Sequence, residues 1–410
     1  MKKRIVYIVS YFLLLLTLFV CQKPFFMLYN DAAEKGALFS DFFRVMGNGI
    51  SLDATTAGYL TALPFLMVLI SIWVKKFPLR KILLPYYIIA SLLVAVVFVV
   101  DMGLYPFWGF KLDASIFLYL DSPKEAMASV SFGFILLRVV AMLMLTTFYV
   151  WLMCKVTPHQ LEVTAKRIGG TLGMLFLGGI LFIIIRGGVT ESTSNVGQVY
   201  FSNNQFLNHS AVNPCFSLLS SMGKSKDFAS EFNFFEEEKR AKLVEGLYPT
   251  SDGDSLKQVL TTNRPNVLLI LMEGFGGAFI EPLGGLPDVA PNLNRLSEEG
   301  IFFTHCYANS FRTDRGTVCA LSGYLGLPTV SVMKIPTKSR TLPAISEELV
   351  KAGYQTDFLY GGDINFTNMK SYLLSKGYQH LTADTDFSLA ERNSNVWGVN
   401  DDITSEWLLN

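Results

Sequence analysis

This chain has no excess of either positive or negative charge. Its 34 basic residues balance 34 acidic ones over 410 residues. A nucleic-acid partner is recognised by a basic excess on one face or stretch, and none exists here, so that class of function is excluded. Cysteine is scarce. Cys21 and Cys154 fall at the ends of apolar runs, and Cys215, Cys306 and Cys319 form an odd set without metal-type spacing. A disulfide framework is therefore not indicated, and these residues read as buried free thiols. Only four histidines occur, and there is no internal repeat or low-complexity tract.

Apolar residues, by contrast, make up 51% of the chain, with 33 Phe. The length admits two or three domains. The apolar excess is concentrated in residues 1–186, in runs near 5–22, 56–74, 82–100, 130–152 and 168–186. Each approaches the ~20 residues that cross a bilayer core, which predicts a five-helix transmembrane domain. The first run follows Lys2-Lys3-Arg4, lacks a small-residue cleavage site and is followed by further spans, so it reads as an uncleaved anchor.

Basic residues orient the spans. Lys2, Lys3, Arg4, Lys75, Lys76, Arg80, Lys81, Lys155, Lys166 and Arg167 lie in one set of connecting segments, and Lys23, Lys35, Arg44, Lys111 and Lys124 in the other. The ten-to-five ratio predicts a cytoplasmic N-terminus, a multi-pass plasma-membrane protein, and an extracytoplasmic location for everything after about residue 187. The loop 101–129 mixes Asp101, Tyr105, Phe107-Trp108-Gly109-Phe110, Asp113 and Tyr119. It reads as an interfacial aromatic belt, or as a lid that guides a lipid headgroup. Arg138 lies inside the fourth span, where a charge needs an acidic partner, a wet cavity or a lipid phosphate.

Residues 187–262 are polar. Asn203, Asn204, Asn208 and Asn213-Pro214 predict turns. Phe228, Phe232, Phe235, Leu243 and Leu247 have the spacing of an amphipathic connecting helix, and Thr250–Asp254 reads as a linker. From 263 to 410 the rhythm becomes strand–helix alternation, which predicts a mostly parallel sheet between helices. Strands are expected at 266–272, 301–307 and 356–360. Helices are expected from Pro291 to Gly300, from Thr313 to Leu321, from Pro343 to Gly353 and from Met369 to Gly377.

The chemistry is concentrated at two points. Asn266-Val-Leu-Leu-Ile-Leu-Met-Glu273 reads as a buried parallel strand with a carboxylate at its carboxyl end, the edge where open α/β sheets place ligands. Thr313 sits at a predicted helix start, where free backbone N–H groups favour phosphate. A threonine hydroxyl becomes a useful nucleophile only when a base or metal activates it, and Glu273 offers a hard oxygen ligand for such a metal. Arg312 and Arg315 flank the hydroxyl and suit a developing negative charge. Read singly, Glu273 is equally a helix-cap partner and Thr313 equally an N-cap.

These residues, with Pro291-Asn-Leu-Asn-Arg-Leu-Ser-Glu-Glu-Gly300, Ile301–Tyr307, Arg312-Thr313-Asp314, Leu342–Ile345, Gly353-Tyr354 and Gly362-Asp363 with Phe366, resemble one family. It is the lipoteichoic acid synthase group of membrane phosphoglycerol and phosphoethanolamine transferases, within the alkaline phosphatase/sulfatase superfamily. The resemblance implies that Glu273 and Thr313 bind a divalent metal, with manganese expected ahead of magnesium or zinc. It implies further that Thr313 is the nucleophile, and Arg312, Arg315, Asp363 and Lys370 are expected to bind substrate. The implied partners are a phospholipid headgroup donor, an envelope glycan or lipid acceptor, and the membrane itself. The alternatives are a metal-dependent phosphatase or phosphodiesterase, and a non-catalytic remnant.

Two departures from the family pattern matter. Thr367 and Met369 stand where phosphoglycerol-handling members carry Trp and Arg. None of His159, His209, His305 and His380 follows an Asp, although the family closes its metal site with an Asp-His pair. The expectation is a catalytic domain incomplete at its C-terminus: a fragment, a truncated frame, or a split gene whose partner chain supplies the rest. In that state the chain is expected to turn over little lipid. The C/S-x-P-x-R motif of sulfatases proper is also missing, which disfavours sulfate-ester hydrolysis.

Overall fold

The computed structural model describes residues 1–114, 116–117, 132–190, 192–222, 234–245, 260–310, 312–327 and 330–409. The chain divides into two compact units, Met1–Lys224 with Val318–Asn410, and Ser225–Thr317.

The first unit is built on five long helices: α1 (Lys2–Tyr29), α2 (Phe39–Ile70), α3 (Leu79–Trp108), α4 (Phe132–Val156) and α5 (Arg167–Arg186). All five are long and apolar enough to cross a membrane. A helix satisfies every backbone group internally, which is what a hydrocarbon environment demands. Pro24, Pro64, Pro85 and Pro106 are carried inside these helices. Two helices outrun the apolar pattern. α1 continues past residue 22, so Lys23 lies within it, and α2 begins at Phe39, well before the run at 56.

Polar ties gather the helix ends. Arg4 donates to Ser71 Oγ (3.0 Å), Thr164 Oγ1 (3.0 Å) and the Glu162 carbonyl (2.6 Å). Arg80 donates to the Thr157 carbonyl at 2.6 Å. Between them β1 (Lys76–Phe77) pairs antiparallel with β2 (Leu161–Glu162). The core above is apolar and includes Tyr11, Leu15, Phe19, Leu83 and Met153.

At the other end, charges counted as solvent-facing loop residues are buried instead. Lys23 Nζ lies 2.7 Å from both oxygens of Asp53, and Asn213 Nδ2 donates to Asp53 at 2.9 Å. Lys111 pairs with Asp101 at 2.5 Å. Gly49 makes the first pair possible: a Cβ there would lie 2.1 Å from Lys23 Cε and 2.4 Å from the Ala211 carbonyl oxygen. Five neutralised or shared polar groups thus replace the aromatic-belt reading for Asp101, while Tyr105 is buried against Phe26 and Phe206. Phe107 is exposed as expected of a belt residue, and Tyr119 lies outside the described residues.

Residues 192–222 cover this end with two short helices, Gln205–Ala211 and Pro214–Met222. Asn204 and Asn213 cap them as the turn signals predict. Asn208 departs from its predicted turn. It is fully buried inside the first helix, and its Oδ1 accepts from the Phe201 and Ser202 amides at 2.9 and 3.0 Å. His209 lies 3.0 Å from the Tyr105 hydroxyl, and burial, reinforced by Arg340 and Lys111, pushes its pKa down to about 3. An unfolded His protonates near pH ~6.5. The unfolded state therefore binds the extra proton between these values, and stability is lost as pH falls from about 6.5 toward 3. Thermal unfolding from pH 7 to 4 should show this slope, and His209→Asn should flatten it.

The segment 330–383 forms its own small core from Met333, Ile364, Met369, Tyr372 and Leu373, together with Val318 and Leu321. Here β3 (Asp357–Leu359) runs parallel to β4 (His380–Thr382), in register Asp357↔His380. The helices Ile345–Lys351 and Met369–Ser375 end near Gly353 and Gly377, both with positive φ, as the stop signals predict. This segment is seated on the covering layer. Arg340 Nη1 donates to the Gly109 carbonyl (2.8 Å), Asn195 Nδ2 to the Asn365 carbonyl (2.9 Å), and the Gly197 amide to Asn368 Oδ1 (3.3 Å).

The second unit corrects the expected sheet. Residues 266–272 form no strand, and Val267–Met272 are all exposed, from Leu271 at 45% to Ile270 at 68%. Residues 301–307 form none either. Among the described residues, β3 and β4 are the sole parallel pair. An apolar run acquires strand character from neighbours that bond its backbone and cover its faces, and among the described residues neither is present. The helix Pro291–Glu299 does form, and Asn294 ties it to the preceding turn through the Glu281 amide (3.3 Å) and carboxylate (3.1 Å). Of the predicted amphipathic helix, Glu237–Glu245 is helical and wholly exposed. Phe228, Phe232, Leu247 and the 250–254 linker lie outside the described residues. All five cysteines are free, but Cys306 and Cys21 are exposed rather than buried.

Candidate functional site

A helix does begin at Thr313, spanning Thr313–Ser322. Its first turn closes on the Arg312 carbonyl, which accepts from the Gly316 amide at 3.0 Å and the Arg315 amide at 3.2 Å. Arg312 thus stands at the cap position, and it does so with φ +73°. A non-glycine residue in that left-handed region is uncommon, costs about 1 kcal/mol or more, and is concentrated at functional sites. The turn places a half-buried Thr313 side chain at the positive end of the helix, with Asp314 and Arg315 buried beside it. Among the described residues the Thr313 hydroxyl makes no side-chain hydrogen bond, so it is available to a ligand.

Glu273 is exposed and is followed by Gly274 at φ +67°. It makes no hydrogen bond or ion pair with Arg312, Thr313 or Arg315, and its place at a strand end is corrected along with the strand. Glu273 and Thr313 supply two oxygen donors of the hard type. No group of three or more His, Cys, Asp or Glu side chains converges among the described residues, so those residues do not by themselves fit a metal centre.

Asp363 and Lys370 belong to the first unit. Asp363 Oδ1 accepts from the Asn365 amide at 2.9 Å and so shapes the turn before Phe366. Lys370 is half-buried, and desolvation lowers its pKa against the opposing pull of Asp386. Thr367, which with Met369 stands where the resembled family places headgroup-reading residues, and the intervening Asn368 both have positive φ (57° and 65°). Asn368 is buried and spans Gly197 and the Lys334 carbonyl (3.2 Å), a structural use of this position.

Residues 265–408 match the family model for sulfatases. All six candidate residues lie within that segment. An ulvan-active sulfatase from Formosa agariphila is 30% identical over 128 residues, which cover 28% of this chain and 21% of that protein. A protein in the alkaline phosphatase superfamily from Vibrio parahaemolyticus, of known crystal structure, is 34% identical over 32% of this chain and 31% of its own, with a TM-score of 0.30. The chain therefore spans about a fifth of the curated relative (21%) and about a third of the solved one (31%). The matched segment begins just before the apolar run 266–272, so the run, Glu273 and the Thr313 helix enter the match together.

Asp53 is the buried polar residue that the sequence reading does not name, while Lys23, Asp101 and Lys111 are named there only as loop residues and not as buried ion-pair partners. A signal for them was present: Asp53 and Asp101 each border a long apolar run, where an ionised side chain requires a partner.

Proposed function

We propose that this chain is a membrane-anchored transferase that moves a phosphate-containing lipid headgroup, phosphoglycerol or phosphoethanolamine, onto an envelope glycan or lipid. The observation that carries this reading is Thr313: a half-buried hydroxyl at a helix start, held behind a left-handed Arg312. The sulfatase-family segment and the five long apolar helices support it. In the first half-reaction Thr313 Oγ attacks the lipid phosphorus and the bond to the diacylglycerol oxygen breaks. The hydroxyl proton ends on the released diacylglycerol. An acceptor hydroxyl then attacks the phosphothreonine, which takes back a proton as the headgroup phosphate leaves. Arg312 and Arg315 supply positive charge beside the phosphoryl oxygens. Asp363 and Lys370 serve as headgroup contacts in this reading. This reading calls for a divalent cation, manganese before magnesium or zinc, which would need ligands beyond Glu273 and Thr313.

Incubation in vesicles with Mn²⁺ and labelled phosphatidylglycerol or phosphatidylethanolamine, of this chain alone and of this chain together with a segment that supplies the Asp-His pair, followed by peptide mass spectrometry, tests the proposal. A headgroup phosphate on Thr313 is expected when the metal site is completed, and little or none with the chain alone. Free headgroup phosphate in its place, without transfer to an acceptor, indicates a hydrolase.

The proposed orientation places the N-terminus in the cytoplasm and residues 187–410 outside. Protease added to intact spheroplasts is expected to cut within 187–410 and to spare residues 153–167. The reverse pattern would remove envelope substrates from consideration.

A further inference from the structure

Arg138 is the one charged residue in the interior of α4, whose neighbouring side chains Leu136, Leu137, Val139 and Val140 are all exposed on the bundle surface. Its guanidinium is half-buried. Nη2 donates to the Tyr29 hydroxyl in a short bond, and Nη1 donates to the Phe134 carbonyl at 3.2 Å. The Phe134 ring lies 3.1 Å from the guanidinium carbon. Both contacts draw the side chain toward the N-terminal end of α4, where α1 ends at Tyr29. On α3, Gly103 leaves the necessary space, since a Cβ there would lie 2.8 Å from Nε.

Hydrogen bonding is incomplete. A guanidinium carries five N–H donors, of which two are used here. No carboxylate pairs with Arg138 among the described residues. A charge facing hydrocarbon is costly unless it reaches an anion or the interface. The side chain sits six residues into α4, roughly 9 Å along the helix from Phe132 at 1.5 Å per residue. That depth suits a long side chain reaching up to the phosphate level of one leaflet, the leaflet on the side of residues 192–222.

We propose that Arg138, clamped by Tyr29 and seated over Gly103, binds the phosphodiester of an acidic glycerophospholipid in that leaflet. The occupant follows from charge and surroundings. Among the described residues the site offers a guanidinium without a carboxylate partner and with spare donors, and the exposed Phe25, Leu28 and Leu137 suit acyl chains. This inference rests on α1–α5 crossing a bilayer, but not on which side the N-terminus lies and not on the chemistry at Thr313.

The experiment uses the full chain in detergent, delipidated and then titrated with phosphatidylglycerol, with bound lipid counted by native mass spectrometry. The wild type is expected to retain one lipid more tightly than the rest. Arg138→Gln should weaken that binding about tenfold, the equivalent of one charge-assisted contact. Arg138→Lys should retain most of the affinity. Glycerol phosphate should not compete, because it lacks acyl chains. Equal retention by the wild type and Arg138→Gln, with unchanged thermal unfolding, would overturn the proposal, as would displacement by glycerol phosphate. If Arg138→Gln fails to fold, Gly103→Ala serves instead: a Cβ there would lie 2.8 Å from Nε and displace the guanidinium, so binding should weaken, and unchanged binding would count against the site. Extraction of the chain from membranes by alkaline carbonate would refute the membrane reading separately.

Discussion

In a chain whose metal site is completed, Thr313→Ala is expected to abolish both the phosphothreonine adduct and headgroup transfer, with a loss on the order of 10⁴-fold or more, as removal of a covalent nucleophile produces. Uncatalysed phosphate-ester cleavage is so slow that no residual path would be detected. Thr313→Ser keeps a hydroxyl at the helix start and should retain measurable adduct. The fold should hardly change. The side chain is half-buried and makes no side-chain hydrogen bond among the described residues, so the stability cost should stay below about 1 kcal/mol. Adduct mapping by mass spectrometry is the decisive measurement. An adduct on Ser310 would shift the nucleophile by three positions. One on Thr317, only 2% exposed, would require the helix to open first.

Breaking the Lys23–Asp53 pair should have the largest effect on stability. Asp53 is fully buried, and its carboxylate accepts from Lys23 and Asn213. Asp53→Leu leaves the Lys23 ammonium buried without its counter-charge, and Lys23→Met leaves the carboxylate with Asn213 alone. Either change should cost about 3–5 kcal/mol, because the remaining charge keeps its desolvation penalty and loses its compensation. The double variant Lys23→Met/Asp53→Leu should recover most of that loss, since an apolar pair of similar volume is often as stable as a buried ion pair. A double-mutant cycle of thermal unfolding in detergent reads the coupling. Additive losses in the cycle would show that the two side chains contribute separately and that the pair is not the unit of stability.

The contrast between Thr313 and Glu273 shows which parts of the site are legible in sequence. The helix at Thr313 is encoded locally, by a polar turn followed by residues able to continue a helix, and it forms where expected. Glu273 was placed by a different argument, that six apolar residues make a buried strand. That argument presupposes neighbours, and no such neighbour pairs with 266–272 among the described residues. The pair β3–β4 makes the same point from the other side. Residues 356–360 read as a strand, but their parallel register with His380–Thr382 depends on a contact across an intervening helix.

The sequence by itself determined the five apolar helices, the helix start at Thr313 and the helix stops at Gly353 and Gly377. These follow from short-range causes: hydrophobic length, turn chemistry, and the ease with which glycine takes a positive φ. Tertiary structure alone decided which charges are buried and with whom. Lys23 meets Asp53 across thirty positions, Asn213 joins them from 160 residues away, and Arg138 reaches Tyr29 rather than an acid. Composition counts such residues as loop or span charges. Only packing settles whether each faces water, a partner or the bilayer, because the cost of a charge is set by what surrounds it.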